Sequence, residues 1–591
     1  MGAVTEAAGT SHGAAEPKPS SRILRVTGPL IEMEYTSGIA MYDLVSIGPA
    51  GLPGEVVAIS GDVVTVQAYE YTGGLAPGQT ALPQGRPLSV RLGPELLGGI
   101  FDGMLRPLSG VGDWLLPGTA QQQATEERNW NFSPSVTEGD RVAEGEVLGE
   151  ILDAGAVRVR VLVPPGCGGT VEEMAVAGDH PRDAIVARID GTDVTVGALW
   201  PVRRPRPVRE RVDSREGLNT GQRVIDLLFP VARGSTVAVP GGFGTGKTVL
   251  LQQIAKWCDA DVIVYVGCGE RGNEMADVIT ELAELHDPRT GGRLAERTVT
   301  IANTSNMPMM AREASVYTGM TVAEYFRDMG LHVVVIADST SRWAEALREF
   351  ASRTGALPAE EGYPAGLASA IAAFYERAAA VTTLGGDRGS VTVIGAVSPP
   401  GGDMTEPVTA HTERFVRCLW TLDRDLAYAR HYPALSWNGS FSRDVPVLAA
   451  GHRAAGDPEW ARRRDRVGAT LAEADRLADL VDLIGIAALP ARERISVLAG
   501  RLVREGVLQQ SALSERDAYC GPEKSAALAD AVLTIADRCH ELVDSGVPAA
   551  SVETIDFGPL LRAREDTDPH DAAGVAERRD VMAATLEELR P

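Results

Sequence analysis

Between the short apolar run from Ser235 to Pro240 and an apolar-faced stretch that opens at Lys247 stands Gly241-Gly242-Phe243-Gly244-Thr245-Gly246-Lys247-Thr248. Glycines at this density let the backbone turn tightly and present several N–H groups to an anion, and the helix start behind them adds the favourable end of its dipole. The G-x-x-x-x-G-K-T spacing between a strand and a helix therefore predicts a phosphate loop, with Gly241 to Thr248 and the adjoining Val249 as the nucleotide-binding segment. Lys247 should reach the β- and γ-phosphates, and the Thr248 hydroxyl should ligate magnesium. Only four of the 56 basic residues are lysine (Lys18, Lys247, Lys256 and Lys524), so a lysine retained at this point invites a chemical reason.

Three further features have the right chemistry. The run Leu331–Asp338 is apolar but for His332 and ends in Asp338, a carboxylate at a strand exit, where a Walker B acid faces magnesium. The same residue also reads as the N-cap of the helical stretch that follows, and it is the upstream phosphate loop that favours the first reading. Gly269-Glu270-Arg271-Gly272-Asn273-Glu274 follows the apolar run ending at Cys268. Glu270 is a candidate to polarise an attacking water, with Arg271 orienting it or the γ-phosphate; the alternative is a solvated Glu–Arg pair. Arg342, four residues beyond Asp338, either points back toward the nucleotide or pairs with Glu345 or Glu349. Tyr432 either stacks on a base or is an ordinary buried ring, and spacing does not separate these alternatives.

The elements that must position these groups are legible as patterns. From about 208 to 440, near-continuous β-branched runs (residues 235–240, 261–268, 331–338 and 391–398) alternate with helical stretches, which predicts an α/β nucleotide-binding core with a parallel sheet covered on both faces. We place this core at 201–440. Before it, 1–21 reads as a disordered tail, 22–90 as a small β-barrel of short strands cut by Gly and Pro, and 91–112 as a connector. Residues 113–200 read as a β-rich insert with the rhythm of a barrel-sandwich module; it contains no lysine, so the lipoyl or biotinyl modification of such modules is excluded. From 441 to 591 strands vanish and apolar residues recur at three-to-four spacing, which predicts a helical domain.

Composition sets outer limits. With 591 residues, several cores are expected. A balance of 56 basic against 80 acidic residues, net −24, argues against a nucleic-acid partner. No apolar run approaches the ~20 residues that cross a bilayer. The six cysteines have neither metal-ligand spacing nor a disulfide pattern, which fits a reducing cytoplasm.

Taken together, GGFGTGKT, GCGERGNEM, VVVIADSTSRWAEALREF, EEGYPA, AFYERA, GAVSPPGGDMTEPVT and WPVRRPRPVRER resemble the catalytic A subunits of V-type and archaeal/bacterial A-type ATPases, from about residue 22 to past 525. The resemblance implies a RecA-like P-loop core carrying an N-terminal barrel, a bulge insert and a C-terminal helical domain. It implies ATP or ADP with Mg2+ as ligands: Lys247 and Thr248 holding phosphate and magnesium, Glu270 activating water, Arg271 and Arg342 meeting the phosphates, and Tyr432 lining the adenine pocket. As partners it implies a B subunit in an alternating A3B3 hexamer that supplies an arginine finger in trans, central and peripheral stalks, and indirectly a membrane sector, on the cytoplasmic face of the membrane. The insert separates such subunits from F-type β subunits and from secretion ATPases. The chain departs from the family wording at Leu513, where an aromatic residue is usual, and at Gly366, Ala370 and Ala379.

Overall fold

The computed structural model describes residues 20–109, 128–287 and 291–590, so most of the expected tail and residues 113–127 of the expected insert lie outside the described residues. Six strands between Ser21 and Pro87 close into a barrel. Their alternation sends Ile23, Ile31, Met33, Val45, Val64 and Val66 inward, each at most 1% exposed. The chain then leaves through Ser89–Leu92, which pairs antiparallel with Ala198–Pro201, so the segment between them departs and returns side by side.

That segment carries two four-stranded sheets, one built on Asn129–Pro134, Val147–Ile151, Val159–Leu162 and Gly178–Pro181, the other on Arg141–Val142, Gly169–Met174, Ile185–Ile189 and Thr192–Thr195. Phe132, Leu148 and Val186 are wholly buried between them. The insert rests on the core at Arg160, whose Nη1 donates to the Met329 carbonyl at 3.1 Å and to Asp387 at 2.8 Å.

The core strands and helices run β1 (Thr236–Pro240), α1 (Lys247–Trp257), β2 (Val262–Cys268), α2 (Gly272–Glu284), β3 (Thr298–Asn303), α3 (Met309–Arg327), β4 (His332–Asp338), α4 (Thr340–Arg353) and β5 (Arg388–Val397). In space the strands lie in the order β1, β5, β4, β2, β3, all parallel. The apolar runs are continuous because both faces are covered: Val264 and Val266 of β2 pack with Met320 and Phe326 of α3, while Ile263 and Tyr265 face Leu251 and Ile254 of α1.

Two strands of the core sheet fall outside the expected core range of 201–440. Ile100–Phe101, within the expected connector, adds to the sheet parallel to β3, and Phe441–Ser442, just past 440, closes its other side antiparallel to Cys418–Leu419. Two-residue strands carry no periodicity that a sequence could display. Beyond them come helices, the longest being Trp460–Ile484, Ala491–Val503, Pro522–Asp544 and Ala572–Glu587, whose Leu471, Leu502, Leu528 and Ile535 are fully buried. Among the described residues no helix is long and apolar enough to cross a membrane.

Candidate active site

Parallel strands put their carboxyl ends on one edge, and the strand exits at 240, 268, 338 and 397 all open there. Gly244 and Gly246 both stand in the left-handed region, at φ +82° and +83°, which only glycine adopts freely. Buried Thr245 closes the turn by donating from Oγ1 to the Gly242 carbonyl at 2.9 Å. Thr248 and Val249 are exposed on the first turn of α1, and Phe243 is 94% exposed at the loop tip. A Cβ on Gly246 would stand 3.4 Å from Tyr432 Cε1, so the tyrosine ring lies over the end of the loop. Tyr432 is not an ordinary buried ring: it is 42% exposed, tethered by its hydroxyl to the Ala427 carbonyl at 3.3 Å and by its backbone carbonyl to Gln510 N at 2.8 Å.

The acidic side lies opposite. Asp338 ends β4, is 4% exposed, and accepts from the Tyr265 hydroxyl at 3.2 Å. It does not cap α4; that position belongs to Ser339, so the N-cap alternative falls. Burial raises the pKa of Asp338, and the Lys247 ammonium opposes the rise. Burial likewise lowers the pKa of Lys247, with Asp338 and Glu270 opposing the fall and Arg342 adding to it.

Glu270 sits on the loop after β2, where its carbonyl accepts from Ser305 N at 2.9 Å and Gly269 N donates to the Asn303 carbonyl at 2.6 Å. Its carboxyl is pushed up to about 7, first by burial, then by the Asp338 charge and by a hydrogen bond with Glu274; Arg342 pulls the other way. Lys247 thus feels the charge of Asp338, Glu270 and Arg342, and Glu270 that of Asp338 and Arg342, the kind of coupling that clusters at functional sites. Arg342 also pairs with Glu345 at 3.0 Å while Glu349 pairs with Arg353, so of the two surface partners expected for Arg342 only Glu345 is engaged. Arg271 is exposed immediately before α2.

Sequence reasoning singled out none of Tyr265, Glu274, Arg312 and Ser398. Arg312 and Arg342 flank Gly269, where an added Cβ would lie 3.0 Å and 2.9 Å from them. The Lys247 ammonium is bonded to the Ser398 hydroxyl and, at 3.2 Å, to the Val397 carbonyl. Glu274 stood within the Gly269–Glu274 motif without a role, and Ser398 left a signal of its own, an apolar strand ending in a hydroxyl before two prolines. The site is an open edge; cavities of about 410 and 320 Å3 lie elsewhere, against the insert, the larger at the strands' amino ends.

Family models match in the same order as the folded units. The beta-barrel domain of the ATP synthase alpha/beta family matches 23–85, the alpha/beta subunit barrel-sandwich domain 122–203, the family's nucleotide-binding domain 221–442, and the C-terminal domain of V and A type ATP synthase 451–550. The A subunit of the A-type ATP synthase of Methanopyrus kandleri is 47% identical over 545 residues, 90% of this chain and 92% of that one. The V-type ATP synthase alpha chain of Nitrosococcus oceani is 47% identical over 554 residues, 92% of this chain and 93% of its own. Among solved structures, the assembled ATPase EscN of the enteropathogenic E. coli type III secretion system aligns with TM-score 0.62 over 87% of this chain and all of that one; at 22% identity this is a likeness of fold. With the phosphate loop, the acidic strand edge and four matched domains in one chain, the protein belongs to the ATP synthase alpha/beta family, in the class of the A subunits of A-type and the alpha chains of V-type ATP synthases, nucleotide-binding ATPases and ATP synthases.

Proposed function

We propose that this chain is the catalytic subunit of a rotary ATPase or ATP synthase, alternating with a non-catalytic B subunit in an A3B3 ring on the cytoplasmic face of a membrane. In this reading central and peripheral stalks couple the ring to a membrane sector that moves protons or sodium ions. The observation that carries the catalytic role is the convergence of Lys247, Asp338, Glu270 and Arg342 at one sheet edge with mutually shifted charge.

The backbone from Gly241 to Gly246 and the Lys247 ammonium bind the phosphates, and Tyr432 borders the base. Thr248 and Asp338 present only hard oxygen donors, one exposed hydroxyl and one buried carboxylate, a set that fits magnesium shared with phosphate oxygens. Bound there, magnesium would neutralise charge developing on those oxygens. Ionised Glu270 takes the proton of the attacking water, or returns it in the synthetic direction. Arg342 meets the phosphate charge; its exposed pairing with Glu345 is weak enough to exchange. Arg271 contacts phosphate or orients Glu270 from the rim, and an arginine finger arrives in trans from the B subunit.

The test is magnesium-dependent ATP hydrolysis by the chain alone and by the chain assembled with its stalk and B partners. Activity should appear on assembly and fall by at least about 1,000-fold in Glu270→Gln. Full activity of the chain alone, or an active variant, would overturn the reading.

A further inference from the structure

The phosphate loop is fastened at both ends to the exit of β5. Gly241 N, at the start of the loop, donates to the Val397 carbonyl at 3.1 Å, and Lys247 Nζ, at its end, donates to the same carbonyl and to the Ser398 hydroxyl. β5 lies between the strand that feeds the loop and the strand that ends in Asp338, so its exit faces both halves of the site. Ser398 is fixed from the other side as well. Its backbone N donates to Ser341 Oγ at 2.8 Å, one residue before Arg342, and Thr340 Oγ1 donates to the Ala396 carbonyl at 2.9 Å. Pro399 and Pro400 follow, which restrict the backbone immediately after the hydroxyl.

An ammonium has three donors and a long, freely rotating stem. Two donors are spent at the end of β5, which leaves one and removes the freedom of the head group to turn. We propose that Ser398 is a positioning residue for phosphoryl transfer: with the Val397 carbonyl, its hydroxyl aims the Lys247 ammonium so that the remaining donor faces the phosphates. This rests on the phosphate-binding reading of Lys247 given above. A charge held in place before the reaction costs no reorientation when the phosphoryl group moves, so the benefit falls on turnover more than on binding. The Val397 carbonyl belongs to the backbone, which makes the Ser398 side chain the half of this clamp that substitution can remove.

The experiment is steady-state ATP hydrolysis by the assembled complex carrying Ser398→Ala, Ser398→Thr or Lys247→Ala, with the melting temperature of each chain measured alongside. Loss of one hydrogen bond to a charged group predicts kcat lower by about 10- to 100-fold in Ser398→Ala, at an unchanged melting temperature. KM should stay within about threefold, and Ser398→Thr, which keeps the hydroxyl, should recover most of kcat. Wild-type kcat in Ser398→Ala, an equal loss in Ser398→Thr, or a loss that tracks a fall in melting temperature would each overturn the proposal. Activity surviving in Lys247→Ala would instead remove the phosphate reading, and the proposal with it.

Discussion

A carboxyl whose pKa is raised to about 7 is divided between its two forms at neutral pH, and that fixes how Glu270 should respond to pH. Only the ionised form accepts a proton, so kcat/KM for ATP should rise with pH through about 7 and fall about tenfold per unit below it. The stability effect has the opposite sign. A folded pKa above the unfolded one means that the contribution of Glu270 to stability is fully present below the unfolded value and is lost as pH rises through about 7. Glu270→Gln should therefore be inactive and, above pH 7, more resistant to urea than the parent; a parent stability that does not decline relative to the variant between the ordinary carboxyl value of 4.5 and about 7 would show that the carboxyl is not raised. Legibility at this scale divides along contact distance. The phosphate loop was readable because its residues are contiguous and glycine-rich. Lys524, equally conspicuous as one of four lysines, was not readable, because its Nζ donates to the carbonyls of Arg516, Arg564 and Thr567 at 2.8 to 3.0 Å, two of them about forty residues away. Its scarcity signalled a reason; only the fold supplies it.

Elements were legible where periodicity runs long and obscure where they are short or meet another backbone. Four of the five core strands declared themselves as continuous apolar runs because both their faces are buried, whereas Thr298–Asn303, in which threonines interrupt the apolar residues, was not singled out, and Ile100–Phe101 and Phe441–Ser442 left no pattern. The docking of the insert on the core was equally invisible. It turns on Gly145 and Gly385, where two backbones touch: a Cβ on Gly385 would stand 2.4 Å from the Gly145 carbonyl oxygen, and one on Gly145 would stand 2.5 Å from Gly385 N. Gly145, at φ +80°, is doubly constrained, while Gly385 is limited by space alone. Gly385→Ala should therefore cost about 1–3 kcal/mol by forcing these backbones apart. The nearby Arg160–Asp387 pair, on a half-exposed surface, would not compensate. Chemical denaturation should show the lowered midpoint, and limited proteolysis should cut the insert faster; unchanged values for both would mean that the insert is held by something other than this contact.

At the scale of the whole molecule, the order of barrel, insert, core and helical domain could be read from composition shifts, but what joins core to helical domain could not. Within that joint, beside a shared apolar cluster that includes Leu228, Phe229, Leu471 and Leu528, lies a buried charge network. Arg223, from the helix Arg223–Leu228, pairs with Asp517 at 2.6 Å, both side chains fully buried, and Arg564 shares the same carboxylate at 2.6 Å. Arg223 also donates from Nε to the Val507 carbonyl at 2.7 Å, and its backbone N donates to Gln510 Oε1 at 2.8 Å. Gln510 N in turn bonds the carbonyl of Tyr432, whose ring overlies the phosphate loop, and three residues on Leu513 stands 98% exposed. The path from the inter-domain ion pair to the edge of the nucleotide site is thus only a few hydrogen bonds long. Asp517→Ala would leave the fully buried Arg223 guanidinium without its carboxylate, Arg564 keeping Glu565, and breaking a buried pair in this way costs about 3–5 kcal/mol. Because the segment 507–517 carries both the pair and the anchor of Tyr432, the loss should not be confined to stability. Nucleotide affinity of the folded variant should fall as well, while the identity of the residues touching phosphate is unchanged. Urea unfolding followed by Trp fluorescence, together with calorimetric titration of ADP at low urea, separates the two effects. A destabilised variant that still binds ADP with the parent's affinity would show that the helical domain holds the core together without shaping the pocket.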